Sequence, residues 1–340
     1  EASGRDWHAL LHSTARDLPP RQQTLFNAIA WSDSLLAPDE QSVFRRLGVF
    51  VGDFDAPAAA VVGLGTDEVD PGAVALLMER LVDHNLVSRV SRRPDRWRLL
   101  EMVRAFAVAE LGPDERPATE QRLARHYAAR QSDWITHWLD PVYLTAIEPD
   151  LDNYRAALRY ALDAGDASLA YHLSAIMGRY WERHGLLYEG RSSLAKVLAL
   201  PGVVDAKLRF AILHEATILA WMQQDFPAAE SLAAESMMLA RDESLPAAVA
   251  VVLNVLGRIY LEQARYEEAD RVLLEAIAIG RSLSSPAGQI GMQIVQRGEV
   301  ALARGDLDQA EALTLAGLAM VTAAEVVPYC LGWNNLAEVA

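Results

Sequence analysis

The second half of the chain carries a pattern in which a small residue or threonine returns about every forty positions. The series is Gly178, Thr217, Gly257, Gly298 and Ala337, with spacings of 39, 40, 41 and 39 residues. Nine residues after each of the first four comes an apolar or aromatic side chain: Leu187, Phe226, Tyr266 and Leu307. Because small residues let two helices approach closely, the pattern predicts a repeated helical hairpin.

A single helical hairpin cannot bury its own apolar face. Successive hairpins must therefore stack on one another, and such stacks form superhelices with a long concave surface. The repeats are predicted over residues 150–340, with the last copy truncated. This half of the chain is expected to bind something in its groove rather than to catalyse a reaction.

The first half of the chain has three helical patterns followed by two strand patterns. Helices are predicted from Arg21 to Leu36, from Pro38 through Phe50, and from Val74 to His84. Strands are predicted from Leu86 to Val90 and from Trp97 to Leu100, joined by a polar turn. Three helices and a small two-stranded β-wing are the order of a winged helix. The predicted fold is thus mainly all-α: a winged helix followed by an α-superhelix.

Composition agrees with a helical protein of about two domains, since the chain has 340 residues and is 51% hydrophobic. No apolar run reaches the ~18 residues that a membrane span needs, so no membrane partner is expected. Cys330 is the single cysteine, which suits a reducing, cytoplasmic location. A net charge of -15 argues against a surface that binds nucleic acid throughout.

A winged helix raises the question of DNA binding, and the wing is locally basic, with Arg89, Arg92, Arg93, Arg96 and Arg98. The third helix argues against it. A helix that reads the major groove exposes Arg, Lys, Asn or Gln, whereas residues 73–83 offer only Glu79, Arg80 and Asp83 among apolar residues. A packing module with a solvated arginine wing is the favoured interpretation, and DNA contact is the alternative.

The clearest copy of the repeat runs from Asn254 to Ala269 and resembles the tetratricopeptide repeat, which has Leu-Gly, then Tyr, then Tyr and Ala near the turn. The period exceeds the usual ~34 residues, so longer loops between repeats are expected, as around residues 200–202 and 282–288. In tetratricopeptide arrays the first helix of each hairpin lines the groove. The resemblance therefore implies a set of ligand-groove residues: Arg179, Arg183, His214, Trp221, Asn254 and Arg258, with Glu262 and Glu299 in the same register.

These side chains have distinct binding chemistry. The arginines can hold a carboxylate or phosphate by paired hydrogen bonds, and Trp221 can stack on a sugar or an apolar group. The groove is predicted to hold an inducer or a partner protein.

Three blocks of the first half, at residues 15–52, 81–107 and 150–158, resemble STAND-class regulators, which are signal-transducing NTPases of large bacterial transcription activators. Within this class, the chain is similar to activators of the maltose-regulator type, the SARP type and the large ATP-binding LuxR type. The resemblance implies an ATPase core that binds ATP or ADP with Mg²⁺, a winged helix that closes over the nucleotide, self-association, and promoter DNA bound by a domain outside the chain. Since the chain begins at Glu1 without Met, we expect a fragment lacking the ATPase core.

The same resemblance assigns a role to the end of the winged helix. In eukaryotic relatives a Met-His-Asp sequence there places His against the nucleotide phosphate, and the matching positions are Leu99, Leu100 and Glu101. Leu100 and Glu101 are therefore expected near the nucleotide. Since a leucine side chain cannot donate a hydrogen bond, direct phosphate sensing by residue 100 is not expected.

Catalytic and metal motifs are missing from the sequence. A phosphate loop needs Gly-x4-Gly-Lys-Ser/Thr, and neither Lys196 nor Lys207 is flanked by the required glycines. The eight histidines are scattered and form no zinc motif. The fragment is predicted to have no enzymatic activity, no cofactor and no metal of its own.

The predicted organisation is an arm from the ATPase lid at 1–20, a winged helix at 21–112, connecting helices at 113–149 and tetratricopeptide-like repeats at 150–340. The predicted function is the sensor and regulatory region of an ATP-dependent transcription regulator. Two alternatives stay open: a scaffold that binds a partner protein without a small inducer, and a sensor attached to a kinase or cyclase.

Overall fold

The structure, a computed structural model, describes residues 20–66, 70–91, 93–130, 146–321 and 326–339. Residues 1–19 of the predicted arm and 131–145 of the predicted connecting region lie outside these ranges. None of the helices described here is long and apolar enough to cross a bilayer.

The chain divides into two compact units. The N-terminal unit comprises residues up to Tyr180 together with Leu200–Gly202, and the repeat unit comprises Trp181–Ala199 together with Val203–Ala340. The boundary falls inside one helix, Ala167–Arg183.

The N-terminal unit is built from helices around a small sheet. Its elements in chain order are α1 (Pro20–Ser34), α2 (Pro38–Leu47), β1 (Phe54–Asp55), α3 (Ala56–Ala59), α4 (Pro71–Asp83), β2 (Ser88–Val90), β3 (Arg93–Arg98), α5 (Glu101–Glu110), α6 (Glu115–Ala129), a 3-10 turn (Glu148–Asp150), α7 (Leu151–Asp163) and most of α8 (Ala167–Arg183). The predicted fold class of a mainly helical protein with a small β-wing is confirmed.

The sheet has a third strand beyond the two that were predicted, in the antiparallel order β1, β3, β2. On β1, Phe54 lies opposite Trp97, and both side chains are buried. The third strand gave no signal in the sequence because two residues cannot show an alternating pattern. β3 also begins earlier than predicted, at Arg93, so that much of the expected polar turn is strand.

A helical segment between β1 and α4 was not predicted. It consists of α3 followed by a π-helical turn at Ala60–Leu64. It begins where the Asp55 carboxylate accepts a hydrogen bond from the backbone N–H of Ala58 at 2.9 Å. The segment escaped the sequence analysis because its mostly small side chains give little helical periodicity. It lies between α2 and α4, so the N-terminal unit has one more helical segment before the wing than the three that were predicted.

Aromatic residues hold the core of the N-terminal unit. Phe50 and Phe54 are buried and stack with ring centroids 4.4 Å apart. Phe106 of α5 lies 6.3 Å from Phe44 of α2 and 5.1 Å from Phe26 of α1, again between ring centroids. Offset and edge contacts of this kind are favourable beyond the apolar area they bury.

The repeat unit is a series of helical hairpins. Its helices after the end of α8 are α9 (Leu187–Leu198), α10 (Ala206–Met222), α11 (Phe226–Asp242), α12 (Pro246–Glu262), α13 (Tyr266–Ser282), α14 (Ala287–Ala303), α15 (Leu307–Leu318) and α16 (Val326–Val339). Each helix from α10 to α14 has 17 residues.

The extra length of the repeat resides mainly in these helices and not in its loops. The expected longer loop is present around residues 199–205, but the turns after α10, α11 and α12 have three residues each. Turns within hairpins and turns between hairpins are alike. Each has a residue in the left-handed conformation, at 20- or 21-residue spacing from Gln224 through Ser244, Ala264 and Ser284 to Gly305.

The turns share one hydrogen-bond pattern. After α10, the N–H of Gln224 donates to the carbonyl of Trp221 at 2.8 Å, and the N–H of Asp225 donates to the carbonyl of Ala220 at 3.0 Å. This left-handed C-terminal cap satisfies carbonyls that the helix end would leave unpaired.

Small residues lie where helices of a hairpin approach most closely, as the sequence pattern predicts. A Cβ atom placed on Gly257 would lie 2.7 Å from the Leu273 side chain, and one on Gly298 would lie 2.4 Å from Thr314 Oγ1. Ala269 and Ala310, which follow the turns, are fully buried. A larger side chain at these positions would force the helices apart.

Candidate functional site

The first helices of successive hairpins lie side by side in the repeat unit, with α10 next to α12, α12 next to α14, and α14 next to α16. Most of the groove residues predicted from the tetratricopeptide resemblance lie on these helices, whereas Arg179 and Arg183 lie on α8. Within the repeat unit their side chains can therefore be compared directly.

Trp221 and Arg258 are brought together. The Arg258 guanidinium carbon lies over the Trp221 ring, 4.5 Å from its centroid, which is a cation–π contact between α10 and α12. The indole Nε1 of Trp221 donates a hydrogen bond to Glu262 Oε1 at 2.9 Å. The aromatic ring is thus fixed on its face by a cation and at its edge by a carboxylate.

Glu299 extends this group to the next hairpin. It occupies the position in α14 that Arg258 occupies in α12, one residue after the small residue of the repeat. Burial raises the pKa of Glu299, nearby Arg258 opposes that shift, and the negative charges of Glu262 and Glu338 raise the pKa further. Carboxylates from three successive hairpins therefore act on one another through space.

We call Trp221, Arg258, Glu262, Glu299 and Glu338 the groove cluster. It offers one aromatic ring, one guanidinium already stacked on that ring, and three carboxylates. Glu338 was missed in the sequence analysis, although it stands one residue after Ala337 and so matches Glu299 and Arg258 in the repeat.

The other predicted groove residues are placed differently. The His214 ring stacks on Phe210, with centroids 6.1 Å apart. Asn254 is half-buried, and its Oδ1 atom has no hydrogen-bond partner among the described residues. Arg183 is exposed at the end of α8. Arg179 is half-buried and belongs to the N-terminal unit.

The predicted nucleotide-proximal residues begin α5. Leu100 is the residue before the helix, its side chain is exposed, and its carbonyl accepts the N–H of Arg104 at 2.8 Å. Glu101 is the first helical residue and is also exposed. Both side chains are accessible on the N-terminal unit.

The arginines of the wing are less solvated than expected. Arg96 is buried, Arg98 pairs with Asp53 at 2.7 Å, and Arg89 pairs with Glu79. Their charges are engaged within the N-terminal unit. These partners could not be predicted from the sequence because they come from other positions in the chain.

Arg96 belongs to a polar network that the sequence analysis missed, and we call it the junction network: Asp55, Arg96, Tyr127, Arg130, Asp150 and Asn153. Arg96 forms an ion pair with Asp150, which is 3% exposed. Asp150 also accepts hydrogen bonds from Tyr127 Oη at 3.0 Å and from Arg130 Nη1 at 2.9 Å. The network joins the wing, α6 and the start of α7.

Asn153 of α7 completes the junction network through backbone contacts. Its Oδ1 accepts hydrogen bonds from the N–H groups of Val51 and Gly52 at 2.9 and 3.0 Å. Its Nδ2 donates to the carbonyl of Asp53 at 2.7 Å. One buried amide side chain thus holds the segment that leads into β1.

Charges inside the network shift its titrating groups. Burial alone would raise the pKa of Asp55, but Arg130, the N–H of Ala58 and Arg96 together lower it. Burial raises the pKa of Tyr127 well above its ordinary value, and the neighbouring Asp150 carboxylate adds to the effect. The network is therefore built for an ionised Asp55 and a neutral Tyr127.

No protein-family model matches the chain. An HTH-type transcriptional regulator of Mycobacterium tuberculosis is 32% identical over 266 residues, covering 74% of this chain and 30% of that protein. The regulatory protein AfsR of Streptomyces griseus is 29% identical over 281 residues, covering 82% of this chain and 26% of that protein.

The chain is similar in sequence to these bacterial transcriptional regulators, and it spans less than a third of their length. The predicted resemblance to bacterial transcription regulators is thereby confirmed. Among solved structures, a signal-transduction ATPase with a tetratricopeptide repeat sensor from Pyrococcus horikoshii is similar over 98% of this chain and 56% of its own, with 12% identity and a TM-score of 0.48.

Proposed function

We propose that the chain is the sensor and regulatory region of an ATP-dependent transcription regulator of the STAND class. Its repeats bind an inducer or a partner protein, and its winged helix couples that event to an ATPase domain and an effector domain elsewhere in the protein. ATP and Mg²⁺ would be bound outside this chain, since neither Lys196 nor Lys207 lies in a phosphate loop. The kinship with transcriptional regulators supports the regulatory part of the proposal.

The observation that carries the sensor role is the groove cluster. Polar and charged side chains from successive first helices, Trp221, Glu262 and Glu299, act on one another across hairpin boundaries. A structural stack of hairpins needs only apolar contacts between its helices. A partly buried carboxylate with a raised pKa carries an energetic cost that a bound ligand can relieve.

The charges of the groove cluster favour a ligand with a basic group. Arg258 is already stacked on Trp221, whereas the negative charges of Glu262 and Glu338 both act on Glu299. A cationic ligand would neutralise this repulsion, and an apolar or flat portion could pack beside the indole. This differs from the anionic ligand that the arginines indicated in the sequence.

The junction network offers a route for coupling inside the N-terminal unit. It joins the wing to α7 through Arg96, Asp150 and Asn153. A regulator of this kind works by a shift between two populations, and a ligand can shift them only by its preference for one. Because α7 is attached to the wing by these contacts, a movement of α7 would also move the wing.

The test is a thermal-shift panel on this chain with spermidine, an arginine-rich peptide and glucose 6-phosphate. We expect spermidine or the peptide to raise the melting temperature in a saturable way. The effect should be lost in Glu299→Gln and Trp221→Leu, and retained in the control Glu311→Gln, which changes an exposed carboxylate on α15. A response to the peptide alone would support partner binding over a small inducer.

Two outcomes would contradict the proposal. Stabilisation by glucose 6-phosphate alone, abolished by Arg258→Ala, would show that the groove binds anions. Stabilisation by any probe that is unchanged in both groove variants would place the ligand elsewhere. In the full-length protein, a promoter reporter that responds equally in wild type and Glu299→Gln would refute the sensor role of this cluster.

A further inference from the structure

A cleft of about 270 Å³ lies in the N-terminal unit, away from the groove cluster. Four segments form it: the residues after α2, and helices α5, α6 and α7. Its apolar lining includes Val49, Val51, Met102, Ala105, Leu123 and Ala156. Glu101, which the resemblance places near a nucleotide bound by a separate ATPase core, is among its lining residues, whereas Leu100 is not. The proposed sensor role assigns no ligand to the cleft.

Three arginines from three different helices line this cleft: Arg104 of α5, Arg116 of α6 and Arg159 of α7. Arg116 is held by Glu120, whose Oε1 accepts a hydrogen bond from Arg116 Nε at 2.9 Å. Arg104 and Arg159 form no ion pair with any residue in the described ranges. Two guanidinium groups of one cleft are thus left without a carboxylate in direct contact.

The arginines also act on one another. Burial lowers the pKa of Arg104, Glu101 opposes the shift, and the positive charges of Arg116 and Arg159 lower it further. Like charges in a partly buried cleft cost free energy unless an anion lies between them. Burial and the two neighbouring arginines together outweigh Glu101, so the charged form of Arg104 carries a cost that a bound anion would relieve.

Three acidic residues also line the cleft. Glu101, Glu120 and Asp163 equal the arginines in number. Glu120 pairs with Arg116, and the charge of Glu101 acts on Arg104 against the charges of Arg116 and Arg159. Among the described residues, neither Glu101 nor Asp163 forms an ion pair with Arg104 or Arg159, so both guanidinium groups keep free N–H donors for an anion.

We propose that this cleft binds a small organic anion. Its phosphate or carboxylate group lies between Arg104 and Arg159, and its apolar part lies against Met102, Ala105 and Leu123. Guanidinium groups suit both kinds of anion because their fork of N–H donors matches two oxygens at once. Small-molecule sites generally combine an apolar lining with a few placed polar groups.

Isothermal titration of the whole chain with phenyl phosphate, benzoate and inorganic phosphate tests the proposal. We expect saturable binding of phenyl phosphate or benzoate, and weaker binding of inorganic phosphate, which has no apolar part. Stronger binding of phenyl phosphate would identify the phosphate as the recognised group, and stronger binding of benzoate would identify the carboxylate. No saturable binding by any of the three, or equal binding by inorganic phosphate, would overturn the proposal.

Two variants and a control locate the site. Arg104→Gln and Arg159→Gln should each weaken binding by about 10- to 100-fold, the range expected for a lost charge-assisted hydrogen bond. Arg125→Gln, an exposed position of α6 that does not line the cleft, should bind as the wild type does. Equal affinity in all four proteins would overturn the assignment.

The melting temperature without ligand separates binding from folding. If the arginines are kept for a ligand, Arg104→Gln should melt at the same temperature as the wild type or higher, because it removes a repelling charge. A lower melting temperature in both Arg104→Gln and Arg159→Gln would show that the arginines support the fold instead. Arg159 is exposed, so its variant should fold and keep the test decisive.

Discussion

Arg96 and Asp150 form a buried ion pair between the last strand of the wing and the residue that precedes helix α7. The two residues are 54 positions apart in the chain. Hydrogen bonds from Tyr127 and Arg130 occupy further lone pairs of the same carboxylate. Removing one member of such a pair leaves the other charge buried without compensation.

Asp150→Asn should therefore destabilise the N-terminal unit by about 3 to 5 kcal/mol, since it leaves Arg96 buried opposite a neutral amide. Thermal unfolding followed by circular dichroism measures the loss. The control is Asp152→Asn, which alters an exposed carboxylate that pairs with Arg155 three residues away. That change should stay within about 0.5 kcal/mol. Equal effects of the two variants would refute the importance of the junction network.

The hairpin array could be read from the sequence, whereas the junction network could not. The small residues Gly257 and Gly298 follow the repeat period, and each lies in close contact with the second helix of its hairpin, as the repeat pattern predicts. Arg96 looked like one more arginine of a solvated wing. Its burial depends on Asp150 and on the carbonyl of Asp53, which the fold brings to it from distant positions. Local patterns carry no record of such contacts.

The contacts of the predicted groove residues were also predictable only in part. The repeat register places Trp221 and Arg258 on α10 and α12, which are neighbours, but it could not show that the two side chains stack on each other. The strand Phe54–Asp55 and the small-residue helix after it left too little periodicity to detect.

Glu299→Gln should stabilise the repeat unit at neutral pH. The folded state raises the pKa of Glu299 above its ordinary value of 4.5, so its ionisation opposes folding. The stability that the protonated form contributes is fully present below pH 4.5 and is lost as the pH rises through the raised pKa. The variant should melt higher than wild type at pH 7, and the difference should shrink as the pH falls toward 4.5.

Melting temperatures of wild type and Glu299→Gln, taken in parallel across this pH range, measure the effect. Glu311→Gln, at an exposed position of α15, provides the control for changing a glutamate to glutamine. If Glu299→Gln and Glu311→Gln differ from wild type by the same amount at every pH, the raised pKa does not bear on stability.

Gly317→Ala should be more destabilising than Gly257→Ala. A Cβ atom on Gly317 would lie 2.7 Å from the carbonyl oxygen of Gly291 and 2.9 Å from the Val295 nitrogen, both backbone atoms. On Gly257 it would meet only the Leu273 side chain, which can move. Overpacking of this kind costs about 1 to 3 kcal/mol, and we expect Gly317→Ala at the upper end.

Chemical denaturation of both variants provides the measurement, with Gly72→Ala as the control. At Gly72 the new methyl group would meet nothing closer than 3.4 Å. Because alanine favours helices over glycine by about 1 kcal/mol, the control should lose no stability. A Gly317→Ala protein as stable as the wild type would mean that α14 and α15 are not packed as described.

Ala264→Gly should stabilise the repeat unit. Ala264 has a φ of 58° in the turn between α12 and α13. A side chain in this left-handed conformation costs about 1 to 2 kcal/mol, while glycine loses about 0.5 to 1 kcal/mol more entropy on folding. The net gain should be up to about 1 kcal/mol, measured by urea denaturation. Ala234→Gly, inside α11, should instead lose about 0.5 to 1 kcal/mol.

Tyr127 and Tyr154 should resist ionisation until the N-terminal unit unfolds. Burial raises the pKa of both phenols above the ordinary value of 10.0. Folding is therefore favoured fully below pH 10 by these groups, and that contribution fades at higher pH. Ultraviolet titration of the ten tyrosines should show a late phase that coincides with loss of helical signal. The double variant Tyr127→Phe, Tyr154→Phe should show that phase with a smaller amplitude, since the buried Tyr171 and Tyr180 remain.

The left-handed residue that follows each helix from α10 to α14 bears on how such a protein can change length. Every turn from Gln224 to Gly305 closes in the same way. Equivalent positions, at which a helical segment could be inserted, therefore recur about every twenty residues. A duplicated segment of two consecutive helices, starting at any of these turns, would begin and end with the same kind of turn. The first helices of successive hairpins would then remain neighbours. A duplicated single helix would join equally well but would exchange the two faces of every hairpin after it. Growth in steps of two helices thus preserves the groove, whichever turn the duplication starts from.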